Sequence, residues 1–311
     1  MVIDAAHRRR KTLATVRANF ELLTLTLPAL IAFFLFNYLP MGGVIVAFKR
    51  YRYDAGILHS PWIGLANFSF FFRSVDAWRI TRNTVAYSTA FIIVGTITAV
   101  VIALLLLEVR STGAKKIYQT VMILPRFLSW VVISFITHAI LNPVHGVGNQ
   151  IIVALGGTAV EWYSHTQYWP FILTISHVWN SVGITSIIYY AALMGVDPQL
   201  YEAAEIDGAT RLQQTWHVSI PALVPVITIL NILAIGNLFT GDFGLFYQIP
   251  RDVGRLYPVT DIINTYVYRG LRQGDIGRTA AVGLFQSSVG LVLIIVTNAI
   301  IRRISPENAL F

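Results

Sequence analysis

The sequence lacks most residue patterns on which enzymes and nucleotide-driven pumps depend. It contains no cysteine, which excludes a thiolate nucleophile, a disulfide framework and a zinc–thiolate site. Its one Lys-Thr pair, at 11–12, follows arginines rather than the glycines of a phosphate-binding loop, and no histidine precedes a glutamate as in zinc proteases. The Gly-Val-Gly at 146–148 lacks the third glycine of a dinucleotide loop. We therefore expect no catalytic residue, no metal site and no cofactor site in this chain.

The segment 195–221 carries the clearest local structural signals. Asp197 is a favourable N-cap and Pro198 suits the first position of a helix. Gly208 is expected to end that helix in a left-handed cap. Thr210 is expected to cap a second helix, which Pro221 ends. From these residues alone, the segment is either a well-capped surface hairpin or a surface on which another protein docks.

The elements that hold this segment are predicted by composition. Hydrophobic residues make up 55% of the 311 residues, charged residues only 12%, and the mean hydropathy is +0.63. Typical soluble domains carry about 25% charged residues. Six stretches have, or approach, the roughly 20 apolar residues that cross a bilayer, at 20–38, 83–107, 117–141, 169–194, 223–239 and 279–301. The predicted fold class is an all-α membrane protein with six transmembrane helices.

The orientation of these spans depends on lysine and arginine. Lysines and arginines taken together number 11 on each side, so the decision rests on the basic cluster 7–11 before the first span, which favours a cytoplasmic N-terminus. The first apolar run is long and lacks a signal-peptide cleavage site, so we expect a retained helix. The fifth stretch is short and polar for a span, with Asn231, Asn237 and Thr240, and is expected to be surrounded by other helices.

Charges inside the predicted spans are almost absent. Their interiors contain no acidic residue, since Glu21, Glu108 and Asp242 sit at span ends. This argues against a proton-driven secondary transporter, although an uncharged sodium site would escape this test. Arg126 is the one charged residue inside a span. It either follows a kink at Pro125 and faces a polar interior, or snorkels to the cytoplasmic interface near Lys116. His138 and His177 are expected to be packed helix residues rather than ligands.

The segment 195–221 also resembles a known motif. Glu202-Ala203-Ala204, Asp207-Gly208-Ala209 and Ile220-Pro221 are similar to the EAA loop of permease subunits in bacterial ABC importers. The family mostly has leucine where this chain has Ile220. It commonly has an aromatic residue at the position of Thr215, and in this chain the neighbouring Trp216 supplies the aromatic ring. In that family the loop is the coupling helix that docks into a cytoplasmic ATPase. The resemblance implies that six residues transmit force without bond chemistry: Glu202, Ala203, Ala204, Asp207, Gly208 and Pro221.

The resemblance extends over nearly the whole chain. The segments 47–51, 60–68, 124–132, 261–271 and 281–287 are similar to the LplB-like polysaccharide branch of carbohydrate permeases, and within it to the first permease subunit of alginate-oligosaccharide importers. This implies the type I ABC importer permease fold with a cytoplasmic coupling-helix loop. The chain then divides into a basic cytoplasmic tail (1–19), a first span with an outer segment (20–82), a permease core (83–301, with the EAA loop at 196–221) and a cytoplasmic tail (302–311).

The resemblance also implies partners and a location. The expected assembly contains a second permease chain, two cytoplasmic ATPase subunits that bind ATP and Mg²⁺, and a periplasmic or extracellular sugar-binding protein, all at the bacterial cytoplasmic membrane and without nucleic acid. The implied function is an ATP-driven importer of oligosaccharides or polysaccharide fragments. The alternatives are an ATP-independent secondary transporter or channel and, less favoured by the missing catalytic clusters, a membrane enzyme.

Candidate sugar contacts are aromatic, amide and hydroxyl side chains in the paired spans, and each could equally be a contact between helices. They are Trp130, Asn180, Ser181, Tyr189, Tyr190, Asn231, Asn237 and Gln286. Four arginines of the outer loops either attract an acidic binding protein or anionic sugar, or are solvated loop charges. These are Arg73, Arg79, Arg251 and Arg255.

Overall fold

The spans agree in number with the sequence prediction. The computed structural model describes residues 19–304, in which the secondary structure is helical apart from one isolated β-bridge, between Lys49 and Trp62. Five helical stretches can cross a bilayer: Phe20–Phe48, Val75–Glu108, Thr166–Met194, Arg211–Gly236 and Ile276–Arg303. A bent pair, Thr112–Phe127 and Trp130–Leu141, supplies a sixth crossing if it counts as one span. The predicted cluster 7–11, most of the tail 1–19 and residues 305–311 lie outside the described residues.

The first half of the described chain contains four spans and the outer segment between the first two. Its α-helices are α1 (Phe20–Phe33), α2 (Gly56–His59), α3 (Ala66–Arg73), α4 (Val75–Glu108), α5 (Thr112–Ile123), α6 (Trp130–Leu141), α7 (Val147–Ala154) and α8 (Trp169–Met194). A π turn at Phe34–Tyr38 and a 3₁₀ stretch at Leu39–Phe48 extend the first span to twice the length of α1. Ser74 caps α4 by accepting the Ala77 N–H at 3.3 Å. The helix of the second span therefore begins at Val75, before the apolar stretch predicted at 83–107.

The second half contains the hairpin, the fifth span, a folded outer segment and the last span. Its helices are α9 (Pro198–Ile206), α10 (Arg211–Gln214), α11 (Ile220–Gly236), α12 (Phe243–Gln248), α13 (Tyr257–Thr260), α14 (Ile263–Arg272) and α15 (Ile276–Ile304). Helices α4 and α8 pack along each other and form the centre of the chain. The C-terminal parts of α4 and α8 meet α11 in a cluster around Tyr189, Leu193 and Leu223, all of which are buried.

The third span, predicted at 117–141 with a kink at Pro125, is two helices joined by a break. Helix α5 gives way to a 3₁₀ turn at Leu124–Phe127, the chain is extended at Leu128, and α6 leaves at 101° to the first half. The cause is Pro125, which has no N–H to continue the α-helical ladder. Ser129 then caps α6 by accepting the Val132 N–H at 3.3 Å. The predicted kink at Pro125 is confirmed, and it is a full break.

Helix α8 holds this break in place. Asn180 donates from Nδ2 to the Pro125 carbonyl oxygen at 2.8 Å, in buried surroundings. One turn further on, Gly183 faces the backbone of Met122 so closely that a Cβ there would overlap the Met122 carbonyl oxygen. An amide that caps the broken helix and a glycine that admits its backbone thus share one face of α8.

The fifth span begins earlier than predicted, because the helix that Thr210 caps does not end at Pro221 and instead continues into the span. Thr210 forms the predicted cap, in a reciprocal capping box with Gln213. From Arg211 the helix runs to Gly236, passing Pro221 through a π turn at Thr215–Ser219, whose wider hydrogen bonding accommodates a residue that cannot donate. Only 11% of its most apolar window is buried. The expectation that other helices surround this span is therefore not met within the chain.

A buried charge cluster fixes the outer face. The Asp261 carboxylate is fully buried and accepts from Arg269 Nη2 at 2.6 Å, Arg79 Nη2 at 3.1 Å and Thr265 Oγ1 at 2.8 Å. Burial alone lowers the pKa of Arg269, but the hydrogen bond and charge of Asp261 outweigh burial and raise that pKa above its ordinary value. The Arg269 guanidinium also lies 4.0 Å from the centre of the Tyr257 ring. The cluster ties α4 to the segment between α13 and α14.

We expect Asp261→Asn to destabilise the protein strongly, because it leaves two arginines without a buried counter-ion. Breaking such a pair costs about 3–5 kcal/mol. Asp275→Asn is the matched control, since the Asp275–Arg278 pair is almost half exposed and pairs of that kind contribute about 0–1 kcal/mol. The measurement is thermal unfolding of the purified protein in detergent. Equal unfolding temperatures for the two variants would contradict the role assigned to Asp261.

A second prediction concerns the contact at Gly183. Gly183→Ala is expected to lower the unfolding temperature in detergent, because the new methyl group overlaps the Met122 backbone and overpacking costs typically about 1–3 kcal/mol. Gly283→Ala is the control: Gly283 also lies in a membrane helix, but no atom is within 4 Å of its Cβ position. That variant is expected to match or slightly exceed the wild type. Indistinguishable variants would refute the close approach.

Candidate functional site

The 195–221 segment forms the capped hairpin that the sequence predicts. Asp197 Oδ1 accepts the Gln199 N–H at 2.9 Å and begins α9. Gly208 lies at φ +79°, and the Ala209 N–H closes the helix end on the Ala204 carbonyl at 2.9 Å. The predicted left-handed cap is therefore present. Nothing lies within 4 Å of a Cβ at Gly208, so glycine is required there by backbone conformation and not by space.

Helix α9 presents its side chains to the outside of the chain. None of its residues is buried: Glu202, Ala203 and Glu205 are exposed, and Ala204 is half-buried. Ile206 is 86% exposed, which is unusual for a large apolar side chain. Among the described residues, the acidic groups of the hairpin, including Asp207, form no ion pair. The surface is therefore small, apolar and acidic, and the chain itself leaves it uncovered.

Short polar contacts join α9 to the fifth span. The Tyr201 and Ser219 hydroxyl groups share a hydrogen bond at 2.9 Å, and Ser219 is buried. The buried Gln214 donates to the Ala209 carbonyl at 3.3 Å. Beside these contacts lies a 310 Å³ cavity, which Arg110 and Arg211 also line. Both contacts end on the span 211–236. The first ties α9 to that helix, and the second ties to it the turn that follows α9.

A second site lies at the other end of the fifth span. A cavity of about 690 Å³ opens between the end of α11, the segment 240–243 and helices α14 and α15. Its walls are aromatic, amide, hydroxyl and aliphatic groups. The lining residues are Gly236, Asn237, Thr240, Phe243, Asn264, Val267, Tyr268, Leu271, Gln286, Ser287, Gly290, Leu291 and Ile294. A wall of this kind, mainly apolar with a few convergent polar groups, is typical of small-molecule sites.

Two aromatic rings, those of Phe243 and Tyr268, line the cavity, and a third, that of Tyr247, packs against both. Phe243 and Tyr247 stack with their ring centres 5.1 Å apart, and Tyr268 lies 4.9 Å from each of them. Arg272 reaches the same group, with Nη1 3.5 Å from the Tyr247 hydroxyl. All three rings are partly exposed. They form a platform on which the apolar face of a sugar ring can stack.

The amide side is ordered by its own hydrogen bonds. Gln286 Nε2 donates to the Phe239 carbonyl at 2.8 Å and to Asn264 Oδ1 at 2.6 Å. Asn264 Nδ2 in turn donates to the Gly241 carbonyl at 2.9 Å. Asn237 Nδ2 donates to the Leu233 carbonyl, so its oxygen remains available to accept. The cavity thus offers amide groups held in place by hydrogen bonds as well as aromatic rings.

The structure brings two of the predicted sugar contacts, Asn237 and Gln286, into this cavity. The others have partners elsewhere. Asn231 Oδ1 accepts from Thr96 at 2.7 Å between two spans, and Ser181 donates to its own helix. Asn180 holds the break in the third span. Tyr189 is fully buried, Tyr190 lies under Lys115 at 5.6 Å, and Trp130 packs against the backbone of Gly244.

Sequence reasoning missed Phe243, Asn264 and Tyr268. A signal for the last two was present, since residues four apart share one face of a helix. The segment 261–271 was instead assigned to the outer side as a family motif. Phe243 and Tyr247 likewise stand four apart and form an aromatic pair on one short helix.

The remaining charged and imidazole predictions have clear outcomes. Arg126 Nη1 donates to Asn180 Oδ1 at 3.1 Å. This contact supports the alternative of a polar interior, because it holds the Arg126 side chain against α8 and not in the direction of Lys116. His177 stacks on Phe91 at 3.9 Å and His138 contacts Tyr163, as expected of packed residues.

The outer arginines divide into two groups. Arg79 does not attract an external anion as proposed, because Asp76 at 2.8 Å and Asp261 at 3.1 Å already neutralise it. Arg73, Arg251 and Arg255 are exposed and form no ion pair within residues 19–304.

Comparisons with known proteins agree with this geometry. The family described as binding-protein-dependent transport system inner membrane component matches residues 92–306. The polygalacturonan/rhamnogalacturonan transport system permease protein YteP of Bacillus subtilis (strain 168) is 35% identical over 308 residues, 99% of this chain and 95% of that protein. Protein LplB of the same organism is 35% identical over 297 residues, 95% of this chain and 93% of that protein.

Solved structures extend the likeness to the whole fold. A chain of a bacterial ABC transporter involved in the import of the acidic polysaccharide alginate superposes with a TM-score of 0.86 at 31% identity, covering 95% of this chain and 99% of that one. A second structure, of a bacterial alginate ABC transporter in complex with an alginate pentasaccharide-bound periplasmic protein, gives 0.84 at 31% identity, with 94% and 97% coverage. The chain belongs to the family of binding-protein-dependent transport system inner membrane components, the permeases of ABC importers.

Proposed function

We propose that the chain forms half of the translocation path of an ATP-driven importer for oligosaccharides or polysaccharide fragments. The observation that carries this proposal is the 690 Å³ cavity, which is lined by the aromatic rings of Phe243 and Tyr268 and by the hydrogen-bonded amides of Asn264 and Gln286. Stacking on the rings and hydrogen bonds to the amides suit a sugar ring. The relatives named for polygalacturonan, rhamnogalacturonan and alginate support the same substrate class.

A second permease chain completes the path in this proposal. The fifth span carries Asn231 and ends at Asn237, yet its own chain buries only 11% of its most apolar window. The cavity at its end is likewise open on one side. Polar groups at membrane depth are satisfied by protein or by water-filled cavities and not by lipid. A second permease chain that packs on the fifth span supplies both the protein cover of that span and the missing side of the cavity.

Helix α9 is the proposed contact with two cytoplasmic ATPase subunits, which bind ATP and Mg²⁺. Its exposed small and acidic surface around Glu202, Ala203, Ala204 and Asp207 supports a docking role. The hydrogen bond between Tyr201 and Ser219 provides the link by which closure of the ATPase pair moves the fifth span, of which Pro221 is part. The bond chemistry of ATP hydrolysis then occurs outside this chain.

The proposed orientation follows from counting crossings. Four spans, including the broken one, precede the hairpin, so the hairpin and the N-terminus lie on the same side of the bilayer. With the hairpin on the ATPase side, the N-terminus is cytoplasmic and the α13–α14 segment faces the periplasm or the cell exterior. A sugar-binding protein docks on that outer face. The location is the bacterial cytoplasmic membrane.

The coupling role is tested by Gly208→Arg. An arginine at φ +79° strains the turn, and its bulk obstructs docking, so we expect the ATPase subunit to be lost from a pull-down of the tagged chain while the second permease remains. Gly56→Arg is the matched control, because Gly56 also has a positive φ (64°) and open space around it but lies in the outer segment. It is expected to retain the ATPase.

Two results would overturn the coupling proposal. One is retention of the ATPase by Gly208→Arg at the wild-type level. The other is a lone wild-type chain that moves solute without ATP, as an ATP-independent transporter would, in which case the hairpin is only a connection between spans.

The cavity is tested by Tyr268→Ala in the complete transporter. Removing the ring takes away a stacking surface, and aromatic contacts contribute about 0.5–1.5 kcal/mol, so the KM for oligosaccharide uptake should rise roughly threefold to tenfold. ATP hydrolysis without sugar should be unchanged. Tyr118→Ala is the control, because Tyr118 lies in α5 away from this cavity. An unchanged KM for Tyr268→Ala would remove the cavity from the sugar path.

A further inference from the structure

Arg126 lies near the middle of the membrane-spanning region. Its Nη1 donates to Asn180 Oδ1 at 3.1 Å, and Asn180 is the twelfth residue of the 26-residue helix α8. Along its own chain, Arg126 is ten residues from Lys116, roughly 15 Å at 1.5 Å per helical residue. That distance exceeds the reach of an arginine side chain. The charge is therefore held at depth.

The backbone that carries Arg126 indicates what faces it. The 3₁₀ turn Leu124–Phe127 and the extended Leu128 interrupt helical hydrogen bonding at this depth. Irregular backbone within a bilayer is tolerated only where protein covers it or where it lines a water-filled cavity. The side chains of Arg126 and Phe127 are both exposed on the surface of this chain. The turn thus faces an aqueous path or a partner subunit, and not lipid.

Within residues 19–304 no ion pair neutralises Arg126. Asp242 and Arg126 both act electrostatically on His177. Asp242 accepts the Leu245 N–H at 3.1 Å as the cap of α12. A guanidinium at mid-membrane without a counter-ion costs about 2.5–3.5 kcal/mol on insertion scales, which implies a function for it.

We propose that Arg126 binds the carboxylate of an acidic saccharide, a uronate unit, as the saccharide passes along the path. This rests on the proposed function and narrows its substrate class. A guanidinium presents a planar fork of donors that matches a carboxylate. Asn180 accepts from one nitrogen of the guanidinium group and orients it, and the Arg126 side chain is exposed. A neutral sugar leaves the arginine without its counter-ion, so Arg126 favours acidic substrates.

The experiment uses the complete transporter, reconstituted in proteoliposomes with the subunits and binding protein that copurify with it. ATP-dependent uptake of uronate oligosaccharides and of neutral oligosaccharides is measured for the wild type. Uronate uptake is then measured for Arg126→Gln, Arg126→Lys and the control Arg50→Gln, since Arg50 is an exposed arginine that belongs to no proposed sugar or partner contact. Subunit copurification and ATP hydrolysis without sugar report on assembly.

We expect the wild type to import uronate oligosaccharides. Arg126→Gln should lower kcat/KM for uronate uptake about tenfold or more, because it removes a charge-assisted hydrogen bond. Arg126→Lys should lose less activity than Arg126→Gln, because it keeps the charge but not the planar fork, and Arg50→Gln should retain all of the activity, with assembly and sugar-free ATP hydrolysis unchanged in every variant.

Three results would overturn the inference. They are uronate uptake by Arg126→Gln at the wild-type level, a loss of assembly in that variant, which would assign Arg126 to a carboxylate of the partner permease, and a wild type that imports only neutral oligosaccharides. The last result leaves the proposed importer function intact. A wild type that imports no oligosaccharide with ATP would instead refute the proposed function itself.

Discussion

The bilayer core contains no water to satisfy free backbone groups, and this constraint governs the structure. Each interruption of a span has to be completed by another part of the protein. At Pro125 the completing group is the amide of Asn180, which takes the carbonyl that the broken helix leaves free. At Pro221 the helix widens into a π turn and continues. Pro125 is buried against a neighbouring helix whereas Pro221 is exposed, and only the interruption at Pro125 is completed by another helix.

The polar groups that meet these needs are the ones that a functional reading of the sequence also selects. Asn180 and Asn231 were predicted as sugar contacts, and the structure gives both a partner in another part of the chain, Pro125 and Thr96 respectively. An amide inside a span looks the same in sequence whether it binds a helix or a ligand. Asn237 and Gln286 differ because both line a cavity, which only the tertiary structure reveals.

Local signals were sufficient for the spans and the hairpin. Apolar length gave the number of crossings, and Asp197, Gly208 and Thr210 act through neighbours within five residues, so their roles could be predicted. Phe243 and Tyr268 meet because the chain folds back between the fifth and sixth spans, and hydropathy carries no signal for that. Gly183 shows the same limit: Gly208 is required by its own backbone angle, whereas Gly183 is required by a carbonyl about sixty residues earlier.

The burial of the fifth span links the two candidate sites. This span is among those that the chain itself covers least, and it joins the hairpin at one end to the cavity at the other. Helices with little buried contact move at low cost, while the α4–α8 pair and the Asp261 cluster hold the rest of the chain fixed. In the proposed mechanism, a force applied to α9 passes through Tyr201 and Ser219 and along the fifth span to Asn237. A weakly covered helix then carries the motion, and the best packed helices carry the fold.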